Sequence, residues 1–425
     1  MSRPTTLAAW LAYVETLHPQ AIALGLDRVR GVHQRLDIAI GCPVITVAGT
    51  NGKGSTCAML EAILRSAGYR TGLYTSPHLL RYNERVRILG RVIGDDEFLA
   101  AFDAVEDART AARPATPLTY FEFATLAALW LFARVRLDVL VLEVGLGGRL
   151  DAVNLIDADV AALTSIALDH MEYLGTTREA IGREKAGIFR PGKPAVCAEP
   201  DLPASVEEHA RTIGARIVRI GRDYGFADER TQWKYWGPGG ERFGLPFPVL
   251  RGAYQLANAA TVLAILGLLR AVLPVSAGAL RDGLLTVELP GRFQVLPGRP
   301  TTVLDVAHNP HAARTLAQAL GAMGYYRQTC AVWGMFADKD LSGVAEAMQS
   351  RVDRWHIAAL PPPRGASATA LREALSNVGI DNSLIHVFGD IGEAYAAARE
   401  SADEADRIIV FGSFLTVAAA LVQSA

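Results

Sequence analysis

The segment Pro43-Val44-Ile45-Thr46-Val47-Ala48-Gly49-Thr50-Asn51-Gly52-Lys53-Gly54-Ser55-Thr56 constrains the fold of this chain more than any other. A short β-branched apolar run passes into a glycine-rich turn, a lysine, paired hydroxyls and a helical pattern. That order demands a strand, a tight turn and a helix. Glycines let the backbone approach an anion, successive N–H groups and the helix N-terminus supply partial positive charge, and Lys53 adds a full one. The segment therefore predicts a polyphosphate cradle over Gly49, Thr50, Asn51, Gly52, Lys53, Gly54, Ser55 and Thr56. It departs from the commonest phosphate loop, because Val47 stands at the first glycine position and Gly54 follows the lysine. Cys57–Leu64 continues the helix, Gly68 ends it, and Arg70–Thr75 reads as the next strand of a βαβ unit.

A length of 425 residues suggests two or three domains. Half the residues are hydrophobic and 20% are charged, which suits a globular core. A net charge of −2 argues against general attraction to nucleic acid or anionic membrane. The four scattered cysteines form no Cys-x-x-Cys pair, so reduced thiols are expected, in the cytoplasm, with no disulfide framework or zinc site. The N-terminal residues read as an amphipathic segment with Trp10, Tyr13 and Leu17, not a signal sequence. The apolar stretches Leu256–Leu269 and Ile408–Val422 fall short of the ~20 residues that span a bilayer.

Strand-like runs followed by helical patterns recur at Val139–Val144, Val160–Thr164, Ala195–Ala198, Thr302–Val306, Thr329–Trp333, Trp355–Ala359 and Arg407–Phe411. This alternation predicts α/β architecture with mainly parallel sheets. Tyr224–Val249, rich in Gly, Trp, Phe and Pro, reads as a small antiparallel excursion. Turn residues concentrate between Pro290 and Pro300, placing a boundary near 297 and dividing the chain into 1–297 and 298–425.

Glu143 ends an apolar strand and precedes Val144-Gly145-Leu146-Gly147-Gly148-Arg149-Leu150-Asp151. A carboxylate at the C-terminal tip of a parallel strand lies where open α/β sheets bind ligands, and it suits a magnesium ligand. Asp169 and His170 follow another strand and are expected at the same sheet edge. Arg183-Glu184-Lys185 reads by itself as a solvated helix face with an ion pair. Asp305, His308 and the following Asn309-Pro310 form a strand-end turn, and Asn258 opens an apolar helix, where a cap is the ordinary role.

In order along the chain, these segments resemble the Mur ligase superfamily, and within it the bacterial folylpolyglutamate synthase/dihydrofolate synthase branch. The matching pieces are Gly49–Thr56, Thr75-Ser76-Pro77-His78-Leu79, Glu143–Asn154, Asp169-His170, Glu184–Ile188, Asp305–Pro310 and Gly412-Ser413-Phe414. The resemblance implies an N-terminal P-loop ATPase domain with a mainly parallel sheet and a smaller C-terminal Rossmann-like α/β domain. It implies that Lys53 holds the β/γ-phosphates and that Ser76, Glu143 and His170 bind magnesium. It implies a carbamylated Lys185, which overturns the ion-pair reading, and ATP contacts from Asn258, Arg292 and Asp305, with His308 in the same motif. Leu26, Asp27 and Arg28, Thr119, Tyr120, Phe121 and Glu122, and Leu155 fall where this branch lines its pterin site, although the aromatic pair equally suits core packing. Leu415 departs from the pattern, standing where histidine often follows Gly-Ser-Phe.

The expected reaction is ATP-driven amide formation through an acyl phosphate, joining L-glutamate to dihydropteroate and extending reduced folates. The alternative is a folylpolyglutamate synthase lacking the dihydropteroate activity. A monomer is expected.

Overall fold

The computed structural model describes residues 3–424, which divide into two compact units. Among the described residues, the first comprises 3–249 and 256–287; the second comprises 250–255 and 288–424. The sequence division at 297/298 thus differs from the structural one near 287/288. The reason is strand pairing: Gln294–Leu296 runs antiparallel to Thr301–Asp305, which ties the turn-rich stretch to the second unit.

In the first unit, β1 (Val44–Ala48), β2 (Thr71–Tyr74), β3 (Val86–Ile88), β4 (Arg91–Val92), β5 (Val139–Glu143), β6 (Val160–Leu163), β7 (Pro194–Cys197) and β8 (Arg216–Arg219) form one sheet. Its order is β4-β3-β2-β5-β1-β6-β7-β8, parallel except at the β3–β4 edge. Strand β1 lies between β5 and β6, so the chain arrives at its two neighbours only after long crossovers. Their C-terminal ends stand side by side, with Val47 opposite Glu143, Ala48 opposite Leu163, and Tyr74 opposite Leu142. That edge is where a doubly wound sheet opens a crevice.

Strands β1 and β5 are buried at every position, which is why they read as unbroken apolar runs. One core cluster packs Trp10, Phe98, Phe102 and Phe123 with Leu140 and Leu142. Its rings meet edge to face, Phe102 against Phe123 at 5.2 Å and Tyr82 against Phe98 at 4.9 Å. The excursion near 224–249 is a three-stranded antiparallel sheet: β9 (Gly225–Asp228), β10 (Trp233–Trp236) and β11 (Arg242–Leu245).

The second unit holds β12 (Gln294–Leu296), β13 (Thr301–Asp305), β14 (Thr329–Trp333), β15 (Arg354–Ala358), β16 (Ile385–Phe388) and β17 (Arg407–Phe411). Their order is β12-β13-β17-β14-β15-β16, and only β12 is antiparallel. The last strand, β17, inserts between β13 and β14, so Asp305 lies opposite Phe411 and the Gly412-Ser413-Phe414 turn emerges next to it. Among the described residues, no helix is long and apolar enough to cross a membrane.

Candidate active site

The glycine-rich turn leaves β1 and enters the helix Lys53–Ser66, as its sequence requires. Gly49 has φ +150°, and a methyl there would collide with the Thr164 hydroxyl. Gly52, the N-cap, has φ +90°, and a Cβ there would sit 2.8 Å from Asn258 Oδ1. Both positions therefore need glycine for conformation and for space. The 164–167 segment after β6 braces the turn: Thr164 Oγ1 donates to the Asn51 carbonyl at 2.7 Å, and Asn51 N–H donates to Ser165 Oγ at 2.9 Å. Asn258, distant in sequence, thereby lies against the turn on its own unit.

Two lysines converge on one carbonyl. Lys53 Nζ donates to Gly49 O at 3.1 Å and to Thr50 O at 3.3 Å, and Lys185 Nζ donates to Gly49 O at 3.0 Å. Lys185 is 4% exposed, on the inner side of the helix Arg178–Ala186, while its neighbour Glu184 turns outward to pair with Arg149 at 2.8 Å. Burial first, and then the Lys53 charge, bring the Lys185 amine down to about 7, against the pull of Asp169 and Asp151. The solvated-face reading thus holds for Glu184 and fails for Lys185.

Glu143, 5% exposed at the tip of β5, accepts the Ser76 N–H at 3.1 Å. Ser76 follows β2, the neighbour of β5, so adjacent strands bring the pair together. His170 has left-handed backbone, φ +50°, at the start of the short helix Met171–Leu174, and its N–H donates to Asp169 Oδ1 at 2.9 Å. Among the described residues, no group of three His, Cys, Asp or Glu side chains could hold a metal. A hydroxyl, one carboxylate and an imidazole leave most of a coordination shell to water and phosphate oxygens. Such a donor set fits magnesium, which keeps waters and binds through few protein groups.

Asp151 is a residue that sequence reasoning passed over. Its carboxylate accepts the Leu146 N–H at 2.8 Å and the Val153 N–H at 2.9 Å, tying the glycine-rich 145–148 loop to the 3-10 turn Ala152–Leu155. Burial pushes it up to about 6, against those backbone N–H groups and Lys53. Its sequence signals were a place at the end of a glycine-rich run and within the matched segment Glu143–Asn154.

The positions expected to line a pterin site all lie in the first unit. Leu26 precedes the helix Asp27–Leu36, and Arg28 donates to Glu122 Oε1 at 3.0 Å and to the Ala23 carbonyl at 2.7 Å. Glu122 in turn accepts the Thr119 N–H at 2.8 Å in the capping box of the helix Tyr120–Phe132. Phe121 packs against Gly145, and Tyr120, Phe121 and Leu155 lie half-buried along the aromatic core. Asp27 instead turns to solvent beside Arg30.

In the second unit, Asp305 accepts Phe293 N–H and Ala307 N–H, each at 2.8 Å, and burial raises its carboxyl against the charge of Arg292. Arg292 lies over the Phe414 ring at 4.9 Å, and His308 Nδ1 is 2.9 Å from the Val306 carbonyl. Of the positions expected to touch ATP or belong to its motif, Asp305 and His308 lie at the turn after β13, Arg292 lies just before β12, and Asn258 belongs to the first unit. Leu415 is exposed.

Comparison with known proteins bears on the whole chain. The Mur ligase middle domain family model matches residues 47–266, and the Mur ligase glutamate ligase domain model matches 291–414. A dihydrofolate synthase/folylpolyglutamate synthase of Escherichia coli (strain K12) is 46% identical over 413 residues, covering 97% of this chain and 94% of the relative. The chain belongs to the Mur ligase family. Within the family it falls in the dihydrofolate synthase/folylpolyglutamate synthase branch. The solved structure of E. coli FolC in complex with DHPP and ADP superposes with a TM-score of 0.92 at 46% identity, covering 99% of this chain and 98% of the other. A bifunctional enzyme of the same branch, solved with Mn, AMPPNP and L-glutamate, gives a TM-score of 0.90 at 48% identity, with 99% and 98% covered. Mur ligase membership accounts for both units, each with its own family domain.

Proposed function

We propose that the chain is an ATP-dependent acid–amino-acid ligase that joins L-glutamate to dihydropteroate, forming dihydrofolate, and adds γ-linked glutamate to reduced folates. The observation that carries this is the convergence of Lys53 and Lys185 on the Gly49 carbonyl, beside a glycine-rich turn and the Ser76–Glu143 pair. Relatives of nearly equal length that bear both activity names support the bifunctional reading over a folylpolyglutamate synthase alone.

In this reading a substrate carboxylate attacks the γ-phosphorus of ATP, giving an acyl phosphate and ADP. The glutamate amine then adds to the activated carbonyl, and phosphate leaves the tetrahedral intermediate. A free carboxylate cannot react this way, because its leaving group would be oxide. Lys53 exchanges its carbonyl contacts for β/γ-phosphate oxygens and neutralises charge as the phosphoryl group moves. The backbone of the Gly49–Thr56 turn, braced by the Thr50 and Asn51 N–H bonds to Ser165, cradles the remaining oxygens, and Asn258 lies against it at Gly52. Ser76, Glu143 and His170 would hold Mg2+, which would supply positive charge to offset that of the phosphates.

A Lys185 amine near neutrality has a substantial free-base fraction, which is what capture of carbon dioxide as a carbamate requires. Arg292, Asp305 and the His308 turn serve the nucleotide, with His308 counted among the catalytic groups alongside Lys53, His170 and Lys185. Leu26, Asp27, Arg28, Thr119, Tyr120, Phe121, Glu122 and Leu155 serve the pterin. Arg28 Nε, buried without a partner within the protein, supports that assignment. The unpaired Cys42, Cys57, Cys197 and Cys330 support a reducing, cytoplasmic setting, and a monomer is the form proposed.

The test is a product assay with ATP, glutamate and either dihydropteroate or tetrahydrofolate. Amide product with both acceptors is expected. Product with tetrahydrofolate alone would reduce the activity to one, and glutamate-independent ATP hydrolysis would overturn the ligase reading.

A further inference from the structure

Between β2 and β3 the chain leaves the sheet and returns. The Thr75 N–H donates to the Arg85 carbonyl at 2.9 Å, closing the base of this excursion, and Ser76 is its first residue beyond that closure. Pro77, Leu80 and Arg81 are exposed, so apolar burial does little to shape the outer part. Polar tethers do that instead. Three consecutive backbone donors converge on one side chain: Leu79 N–H reaches Glu84 Oε2 at 2.7 Å, while Leu80 and Arg81 N–H reach Oε1 at 3.0 and 2.7 Å. The Glu84 N–H returns a bond to the Arg81 carbonyl at 3.0 Å.

A second tether joins Arg85 Nε to His78 Nδ1 at 3.0 Å. A third joins Asn83 Nδ2 to the Ile93 carbonyl at 3.1 Å and to Asp95 Oδ1 at 2.9 Å. Tyr82 anchors the base by packing on Phe98 and Phe102. The return limb is therefore tied to the body of the unit at several points, and Glu84 links it to the limb that carries Ser76.

We propose that Glu84 is a positioning residue for the reaction: its carboxylate clamps the 79–81 backbone and so keeps Ser76 against Glu143. The inference rests on the proposed role of Ser76 and Glu143. Only an ionised carboxylate suits three converging donors, since both oxygens accept and neither donates. Glutamine would turn an NH2 toward at least one of the N–H groups, and aspartate is one methylene too short to reach all three.

Hydrogen exchange on the full chain without ligands tests the clamp first. The 79–81 amides are expected to be protected in the wild type and at least tenfold faster in Glu84→Gln. Fast exchange in the wild type overturns the clamp without any variant. In the product assay, Glu84→Gln should raise the magnesium concentration for half-maximal rate about tenfold, with a much smaller effect at saturating metal, and Glu84→Asp should restore part of the difference. A lowered melting temperature with unchanged magnesium half-saturation would make Glu84 merely structural and overturn the proposal. A wild type that ligates nothing would instead sink the ligase reading, leaving the exchange result to judge the clamp by itself.

Discussion

Two turns in this molecule follow the same plan with opposite chemistry. After β1, and again after β13, a buried parallel strand ends in a short turn that enters a helix, Lys53–Ser66 in one case and Pro310–Gly321 in the other. The first turn is open and cationic: glycines at positive φ expose the backbone, and two lysine amines meet at one carbonyl. The second is built around a buried carboxyl: Asp305 accepts the N–H groups of Phe293 and Ala307, and Asn309 caps the helix through Ala312 N–H at 2.9 Å. The first turn ties its Thr50 and Asn51 N–H groups to Ser165, so the charge it gathers comes from lysine side chains. The other ties the Phe293 and Ala307 N–H groups to its own carboxylate. Topology thus makes the location, and residue chemistry decides the ligand.

The contrast breaks first at Lys53. Lys53→Ala is expected to lower ligation about 10³-fold with little change in melting temperature, because the lost contacts are two carbonyl bonds and the gained loss is charge at the phosphates; near-normal turnover would remove the cationic turn from the chemistry. Next, Glu143→Gln should lower the rate about 10²-fold and weaken its magnesium dependence, measured by metal titration. An unchanged titration would separate the Ser76–Glu143 pair from the metal.

Lys185→Ala should lose somewhat less, and short carboxylic acids should restore part of the rate by standing in for a carbamate. In the wild type, the amine takes up a proton as pH falls through about 7, so carbamate and rate should both decline on that side. Labelled bicarbonate followed by carbon NMR reads the carbamate directly, and a pH-independent signal at Lys185 would count against it.

The smallest effect belongs to the second turn. Asp305→Ala should raise KM for ATP about tenfold, while leaving two N–H groups unpaired costs about 1–3 kcal/mol of stability each. A melting shift with no change in KM would make Asp305 a purely architectural residue.

The parts of the fold readable from sequence share one physical trait. Strands β1, β5, β14 and β17 are buried throughout, so they appear as continuous apolar runs. Strands β8 and β16 are edges with mixed exposure; Arg216-Ile217-Val218-Arg219 and Ile385-His386-Val387-Phe388 carry polar positions and escaped notice. The same applies to the site. Gly49–Thr56 and Glu143 announce themselves because their chemistry is local to the turn or strand end. Glu84 and Asp151 do not, because their partners are backbone N–H groups, which every residue supplies.

Sequence order alone determined the strand–turn–helix around Gly49–Thr56, the α/β class and the family, because each depends on local conformation or on motifs read in series. Tertiary structure decided which charges are buried and what they face. Lys185 stands next to Glu184 in the chain, yet one side chain is pressed onto Gly49 and the other pairs with Arg149 at the surface. Burial and long-range contact set the protonation of an amine, and neither is a property of its sequence neighbours.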